Sequence, residues 1–436
     1  MSVFTPSEPE KEQVSLTLSD TQLEITQFTE YSFNSNFLTP TDGFSFTVGA
    51  ERLSLDMQDA LIPGAAVKLS LNGRTQATGY IDSIEKTASR GGGTEWRIEG
   101  RDRLGQVVDA CADPTQSLKE SMTLIDALKK LFGPFGWSEE DNFDDSNENS
   151  ILIKTGLRQR AKRRTSDAKG FGRKALKAFK LHQYRPYSKE GVFEFASRIT
   201  QRLGLWLWLS PDGETVIVSE PDFDSVAPYT LIRNDRGDTN VLEGSVKFDL
   251  TEQPTIIIAD AYSQGGEFGK SQIRAISVNT AVYTDDPEYI NTFTRFPTAK
   301  LLPVKPVVNN NDGTVTFPGH SFATPMKVPR NKVLYLHDDE SQTLENLERF
   351  VEREMALLQR RSLTANYTVE GHGQNTPDGF VPWTVDTTID VDDEVAGVKE
   401  TMYVLGRTFN KSRSGGTTTQ LELIRCNTMV FTSTGK

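Results

Sequence analysis

The chain has 436 residues, with 48 Lys plus Arg against 60 Asp plus Glu and a net charge of −12. That length predicts roughly two to four domains around a sizeable core, and the acidic balance argues against a general nucleic-acid coat. Cys111 and Cys426 are the only cysteines, which excludes a disulfide scaffold or a multi-cysteine metal site, and four histidines leave little room for metal chemistry.

Residues 1–13 are polar and contain prolines, and they read as a loose arm. No apolar run approaches the roughly 20 residues needed to cross a bilayer, and the N-terminus lacks the charged and apolar regions of a signal peptide. The expectation is a soluble chain made in a cytoplasm. Period-2 patterns follow at Val14–Ser19, Leu23–Phe33, Phe44–Gly49, Val67–Asn72, Ala77–Ile84 and Thr94–Glu99. Turn chemistry at Pro63-Gly64, Asn72-Gly73 and Gly91–Gly93 separates them, so the first domain (1–110) reads as an antiparallel barrel or sandwich.

From 111 to 240 the character is mixed α/β. Ser121–Phe132 and Val192–Leu203 have helical spacing, while Leu205–Leu209 and Thr215–Ser219 read as strands about a Pro211-Asp212-Gly213 turn. Between the helices, at 139–190, an acidic stretch precedes a basic one. Lys154–Lys189 holds thirteen Lys or Arg and one acid, Asp167. From 241 to 436 the pattern is β again: Ser245–Leu250, Thr255–Tyr262, Gln272–Val278, Ala365–Gly371, Val385–Val391, Glu400–Asn410 and Thr417–Arg425. Residues 297–330 form a Pro-rich excursion, and Asp338 or Ser341 is expected to cap a helix over 341–361. There is no close sequence repeat, yet two β modules of similar content flank the middle.

Several chemical motifs fail on spacing. Gly265–Ser271 resembles a phosphate loop with three residues, not four, between its glycines, and a strand pattern follows where a helix is required; a hairpin turn is the simpler reading. Gly319-His320-Ser321-Phe322-Ala323 resembles a nucleophile elbow, but Pro325 and Pro329 oppose the helix that must follow. The carboxylate pairs Asp144-Asp145, Asp285-Asp286, Asp338-Asp339 and Asp392-Asp393 are adjacent in sequence, whereas glycoside hydrolysis needs two carboxyls facing across roughly 5–10 Å. Asp390 and Asp392 share a strand face that would suit a weak cation site, with solvated strand-end acids as the simpler account. All four histidines, His372 among them, read as cap, turn or surface residues. The sequence therefore predicts no cofactor, metal site or catalytic residue.

The candidate partner-contact residues lie in the basic segment: Arg158, Arg160, Lys162, Arg163, Arg164, Lys169, Arg173 and Lys174. They suit phosphate neutralisation, docking on an acidic protein, or pairing with the chain's own acidic stretch; a solvated loop is the plain alternative.

Ordered patterns across most of the chain resemble the Mu-like phage tail baseplate hub family. They are Pro63-Gly64, Asn72-Gly73, Thr78–Asp82, Gly100–Leu104 and Val107–Cys111; then Val192–Phe195, Leu203–Leu205 and Pro211–Gly213; then Ala365–Val369, Asp378-Gly379, Pro382-Trp383, Val391–Asp393 and Met402–Leu405. Residues 154–184 and 297–330 depart from the family pattern, so no role is carried over to them. The resemblance implies two tube-protein-like antiparallel β-barrel domains around a mixed α/β domain. It also implies a homotrimeric, non-enzymatic hub that adapts a hexameric tail tube to a trimeric central spike and forms part of a DNA channel. Expected partners are the tube and spike proteins, with tape-measure and wedge proteins as further candidates, in a virion tail baseplate assembled in the host cytoplasm. A contractile tail fits the family better than a flexible one. The hub part of type VI secretion spikes shares the fold, but its β-helical needle is not expected here. The competing readings are a tail-tip cell-wall or polysaccharide hydrolase using paired carboxylates, and a nucleic-acid or glycan-binding module.

Overall fold

The computed structural model describes residues 12–426, apart from 91–92, 116–117, 119–121, 141–149, 154–184, 203–204, 220, 222, 224–226, 238, 264–270, 280–281, 284–306, 309–314, 318–319, 323–325, 328–331, 340, 342, 377–378 and 414. The chain is mostly β, as its sequence predicts.

The first module contains β1 (Val14–Leu18), β2 (Glu24–Ile25), β3 (Glu30–Asn36), β4 (Gly43–Gly49), β5 (Ala66–Leu71), β6 (Arg74–Ser89) and β7 (Gly93–Asp102). Asn72 and Gly73 both take positive φ, 49° and 75°, which is the backbone a two-residue hairpin between right-twisted strands requires. Alternation then sends Phe33, Phe46, Val67 and Ile98 into one core.

The middle of the chain forms β8 (Glu139–Glu140), β9 (Ser150–Ile153), β10 (Trp206–Leu209) and β11 (Thr215–Ser219), ordered β10-β11-β9-β8. Helices Leu124–Phe132 and Val192–Arg202 cover this sheet, burying Leu128, Phe132, Phe195 and Ile199 against Val216 and Val218. The first helix starts at Thr123, whose hydroxyl accepts from Asp126 N–H while the Asp126 carboxylate accepts from Thr123 N–H, a reciprocal cap.

The second module begins with β12 (Tyr229–Arg233) and β13 (Val241–Phe248). An inserted layer follows: β14 (Ile256–Ser263) and β15 (Ser271–Val278), then the short strands β16 (Val282–Tyr283), β17 (Val307–Val308), β18 (Val315–Phe317), β19 (His320–Phe322) and β20 (Met326–Lys327), then β21 (Val333–His337). Helix Leu344–Arg360 lays Leu347, Val351 and Met355 against Ile257, Ala259 and Ala275. Its N-cap is Thr343, which accepts from Asn346 N–H, rather than Asp338 or Ser341. Those two residues are buried and hydrogen-bonded to each other at the end of β21. The module resumes with β22 (Leu363–Glu370), the hairpin β23 (Gly373–Thr376) and β24 (Gly379–Pro382), then β25 (Thr387–Asp393), β26 (Val398–Ser412) and β27 (Gly416–Arg425).

The two modules have the same strand order. The first runs β1-β5-β6-β7-β4-β3 and the second β12-β25-β26-β27-β22-β13. In both, the strands that are first to sixth along the chain lie in the spatial order 1-4-5-6-3-2. Five of the six positions agree in direction as well; only the outermost pair differs, antiparallel for β1–β5 and parallel for β12–β25. The fifth strand is long in both modules and carries a one-residue bulge at the same place. Asp82 interrupts the ladder between Ile81–Gly100 and Ser83–Glu99, and Leu405 interrupts it between Val404–Leu423 and Gly406–Glu422.

Closed barrels are the sequence expectation, and in this respect the structure differs. Among the described residues β1 does not pair with β3, nor β12 with β13. The edge of β3 is instead taken by the second half of β26, Gly406–Lys411, while the first half of β26 pairs with β25. One 13-stranded sheet results.

The joint encloses a polar core. Tyr31 Oη lies 2.7 Å from His372 Nε2, His372 Nδ1 lies 3.0 Å from Thr419 Oγ1, and the Thr419 hydroxyl donates to Gly371 O. With its proton spent on Gly371, Thr419 must accept from Nδ1–H, so Nε2 accepts from Tyr31. His372 lies in the bend between β22 and β23, as a turn residue would, but it is fully buried and stacked on Phe409 at 4.4 Å, which overturns its reading as a surface residue. Beside it, buried Arg407 donates to Gln76 Oε1 at 2.9 Å and to Trp383 O, with Phe409 4.3 Å beneath it.

Burial, helped by the Arg407 charge, pushes His372 down to about 3. Between that value and its ordinary 6.5, the unfolded chain binds the extra proton, so stability is lost as pH falls through this window. Asp42, pushed up by burial to about 6, acts with the opposite sign between 3.8 and 6. Subtracting the unfolding curve of His372→Gln from that of the natural chain isolates the histidine. The difference should have a slope approaching ~1.4 kcal/mol per pH unit between pH 6.5 and 3. A second test concerns packing: a Cβ on Gly100 would lie 2.2 Å from Tyr80 O and 2.4 Å from the Phe44 ring, whereas one on Gly43 meets nothing within 4 Å. Denaturant unfolding should show Gly100→Ala costing about 3 kcal/mol and Gly43→Ala less than about 1.

Candidate functional site

Alternation leaves one face of the joined sheet polar from β13 across to β6. Following the register, Ser245, Asn366 and Glu422 lie in one row, and Thr368, Gln420, Thr408 and Asn34 in the next. The face continues through Ser32, Ser45 and Thr47 to Glu95, Arg97 and Glu99 on β7, and ends at Ser83, Glu85 and Thr87 on β6. Eight strands contribute, the same four from each module. The face is acidic: Glu30, Glu85, Glu95, Glu99, Glu243, Glu370 and Glu422 stand against Arg97, Arg101 and Lys247. Arg101 is itself gripped by Asp82 and Asp109, each at 2.7 Å.

The side chains on this face are short or hydrogen-bonded to one another. Asn36 Nδ2 donates to Glu422 Oε2 at 2.9 Å, Asn34 to Thr408 at 2.8 Å, and Arg97 pairs with Glu99 at 2.8 Å. A cleft of about 320 Å³ lies over the joint, lined by Asn34, Glu243, Asn366, Thr408 and Gln420 among others. Ligand pockets of that size are predominantly apolar with a few directed polar groups. This one is a stretch of ordinary polar sheet surface, suited to contact with water or a hydrated polymer.

None of the described residues on this face is a candidate named from the sequence. Arg158, Arg160, Lys162, Arg163, Arg164, Lys169, Arg173 and Lys174 fall outside the described residues, as do Asp144-Asp145 and Asp285-Asp286. Asp392 pairs with Lys399 at 2.7 Å at the surface, while Asp393 is buried against Arg233 and Tyr367. Asp390 accepts from Thr401 at 2.6 Å. His337 lies between Asp260 and Asp339, and no group of three or more metal-ligating side chains occurs among the described residues. Gly265 and Gly269 also fall outside the described residues; Ser271, which follows them, opens β15 and pairs antiparallel with Ser263 of β14, so a strand and not a helix comes next.

One carboxyl pair does come together, and spacing in the sequence could not have revealed it. Asp42 N–H donates to Asp102 Oδ2 at 2.9 Å, and Asp102 Oδ1 accepts from Leu104 N–H. Burial and the neighbouring Asp42 charge hold Asp102 well above the usual carboxylate range. Asp102 ties the β3–β4 turn to the end of β7 by accepting from backbone donors, while the Asp42 carboxyl is hydrogen-bonded to the Ser35 side chain.

Residues 14–102 match the family model of the Mu phage baseplate assembly protein GpP-like N-terminal domain, and residues 358–425 match that of a tail protein C-terminal domain. Two solved structures share the fold over nearly the whole chain. The tail protein from Neisseria meningitidis MC58 is 21% identical, with a TM-score of 0.64 covering 95% of this chain and 96% of that one. The 43 kDa tail protein of prophage MuSo2 from Shewanella oneidensis is 15% identical, with a TM-score of 0.63 covering 96% and 99%. No curated protein sequence matches. Both matched segments are those of phage tail and baseplate proteins, in agreement with the resemblance drawn from the sequence.

If the polar face is kept for something other than folding, its residues should be nearly neutral to stability. Asn366→Ala and Gln420→Ala are expected to shift unfolding by no more than about 0.5 kcal/mol. On the opposite face Phe46→Ala and Leu421→Ala should cost about 2–5 kcal/mol in the same denaturant titrations.

Proposed function

We propose that this chain is the structural hub of a phage tail baseplate, acting as a homotrimer that joins a hexameric tail tube to a trimeric central spike. The observation that carries this reading is the duplicated strand order. One chain holds two modules of one topology, so three copies present six, and a threefold ring can then offer a sixfold surface to the tube and a threefold surface to the spike. The tail-protein matches at both ends of the chain support the same reading.

In this reading the chain performs no chemistry. The acidic polar face lines the channel, where like charge keeps passing DNA from sticking, and the apolar core behind it gives the wall its rigidity. The tube protein binds on one side, with the spike on the other and tape-measure and wedge proteins around them. The site of action is the virion, in a contractile tail, after assembly in the host cytoplasm. The basic segment 154–184 is read as a contact for an acidic partner protein.

Two measurements test this. Mass determination on the chain, alone and in purified tail particles, should give three copies, half the number in one tube ring; any other ratio refutes the adaptor. Replacing Glu95, Glu99 and Glu422 together by Gln should slow genome delivery by particles that still assemble, whereas unchanged delivery removes the channel assignment. Particles that assemble normally without residues 154–184 would make that segment dispensable.

A further inference from the structure

The fold builds one module-to-module joint within the chain and leaves both halves of a second one open. Within the chain, the edge of β3 meets the second half of β26. The equivalent strands are β13 and β6. Among the described residues, β13 pairs on one edge only, with β22, and β6 beyond its bulge pairs only with β7. Ser83–Ser89 is largely exposed, as are Glu243, Ser245, Lys247 and Phe248, the last with 47% of its surface open. Unpaired edges of this length are templates for strand addition.

We propose that β13 of one copy pairs antiparallel with Ser83–Ser89 of the next, repeating the β3–β26 joint between molecules. This rests on the ring reading above and supplies its contact. The register is fixed by the two bulges and the ladders. Asp82 corresponds to Leu405, which makes Ser83–Lys86 equivalent to Gly406–Phe409. Following β7–β4–β3 and β27–β22–β13 outward makes Phe33, Asn34 and Ser35 equivalent to Val246, Lys247 and Phe248. The internal pairs Arg407–Ser35, Thr408–Asn34 and Phe409–Phe33 therefore become Ile84–Phe248, Glu85–Lys247 and Lys86–Val246 between copies.

The chemistry of these rungs agrees with a register that was derived from backbone pairing alone. Ile84 meets Phe248 on the apolar face. Glu85 meets Lys247 on the polar face, charges of opposite sign at one rung where like charges would repel. Thr87 meets Ser245 two residues on. The joint stops there, because the next carbonyl on β13, that of Gly244, already accepts from Arg233 at 3.0 Å. An edge bearing one lysine would ordinarily be read as protected against pairing, but here the lysine has a matching carboxylate on the complementary edge.

The test is disulfide trapping in the full chain carrying Cys111→Ser and Cys426→Ser. Glu85→Cys with Lys247→Cys should cross-link copies under mild oxidation into a closed three-chain species, and neither single variant should. Thr87→Cys with Lys247→Cys is two residues out of register, where Cβ atoms are roughly 7–8 Å apart, and should cross-link at least tenfold more slowly. In parallel, Glu85→Lys and Lys247→Glu should each weaken association at least tenfold, and the double reversal should restore it. A trimer that forms without in-register trapping, or that ignores both charge reversals, overturns this edge pairing and leaves the ring reading intact. A chain that is monomeric in solution and present in other than threes in tail particles overturns the ring and the joint with it.

Discussion

The architecture depends on the divided pairing of β26. Its first half gives hydrogen bonds to β25 and its second half to β3, while β27 runs along its other edge. A strand has only two edges, so the change of partner needs a place where one ladder ends and the next begins, and the bulge at Leu405 lies at that place. Once β3 is engaged there it cannot close its own module, and two sheets that could have been barrels become one. Arg407 lies in the same stretch, held by Gln76 from the first module and by the Trp383 carbonyl from the second. A buried cation is tolerated only with such partners, and these two hold Arg407 from both modules, although its Nε is buried without a partner.

The two modules show how little sequence identity a shared topology requires. Equivalent positions hold Phe409 and Lys86, Gly406 and Ser83, Phe33 and Val246. What is common is the pattern: a long fifth strand with a bulge, a sixth strand returning along it, apolar residues on one face and short polar residues on the other. The differences follow the environment. Where the joint lies inside the chain, the Phe33 and Phe409 rings meet at 6.0 Å, tilted by 60°. Where the edges face water, the same rung carries a lysine whose ammonium lies 3.6 Å over Trp96. Apolar edge residues would risk indiscriminate pairing in a free chain, and the charged ones suit an edge that must stay in water until its proper partner arrives.

A face of eight strands with no apolar patch, no converged catalytic group and an excess of glutamates is unusual for a surface that binds small molecules. It is ordinary for a wall. Buried Asp102 and its half-buried neighbour Asp42 lie away from this face and brace a turn.

Local elements were largely legible in the sequence, because they rest on contacts between near neighbours: period-2 alternation, the Asn72-Gly73 turn, and apolar stripes at helical spacing in 124–132, 192–202 and 344–360. The acidic, mostly β character was legible too. The helix cap at Thr343 was missed because Asp338 and Ser341 are equally good cap residues by type, and only their mutual burial removes them. The burial of His372 was missed for a similar reason: glycines on both sides signal the turn it does occupy, while its partners Tyr31, Phe409 and Thr419 come from strands distant in sequence. Strand order, the β3–β26 joint and the polar face were decided by tertiary structure alone, since a β-ladder pairs residues hundreds of positions apart and nothing in either strand names its partner. The sequence determined which stretches could be strands and which side of each would be apolar; which edge met which, and therefore which edges were left open, was settled only when the whole sheet formed.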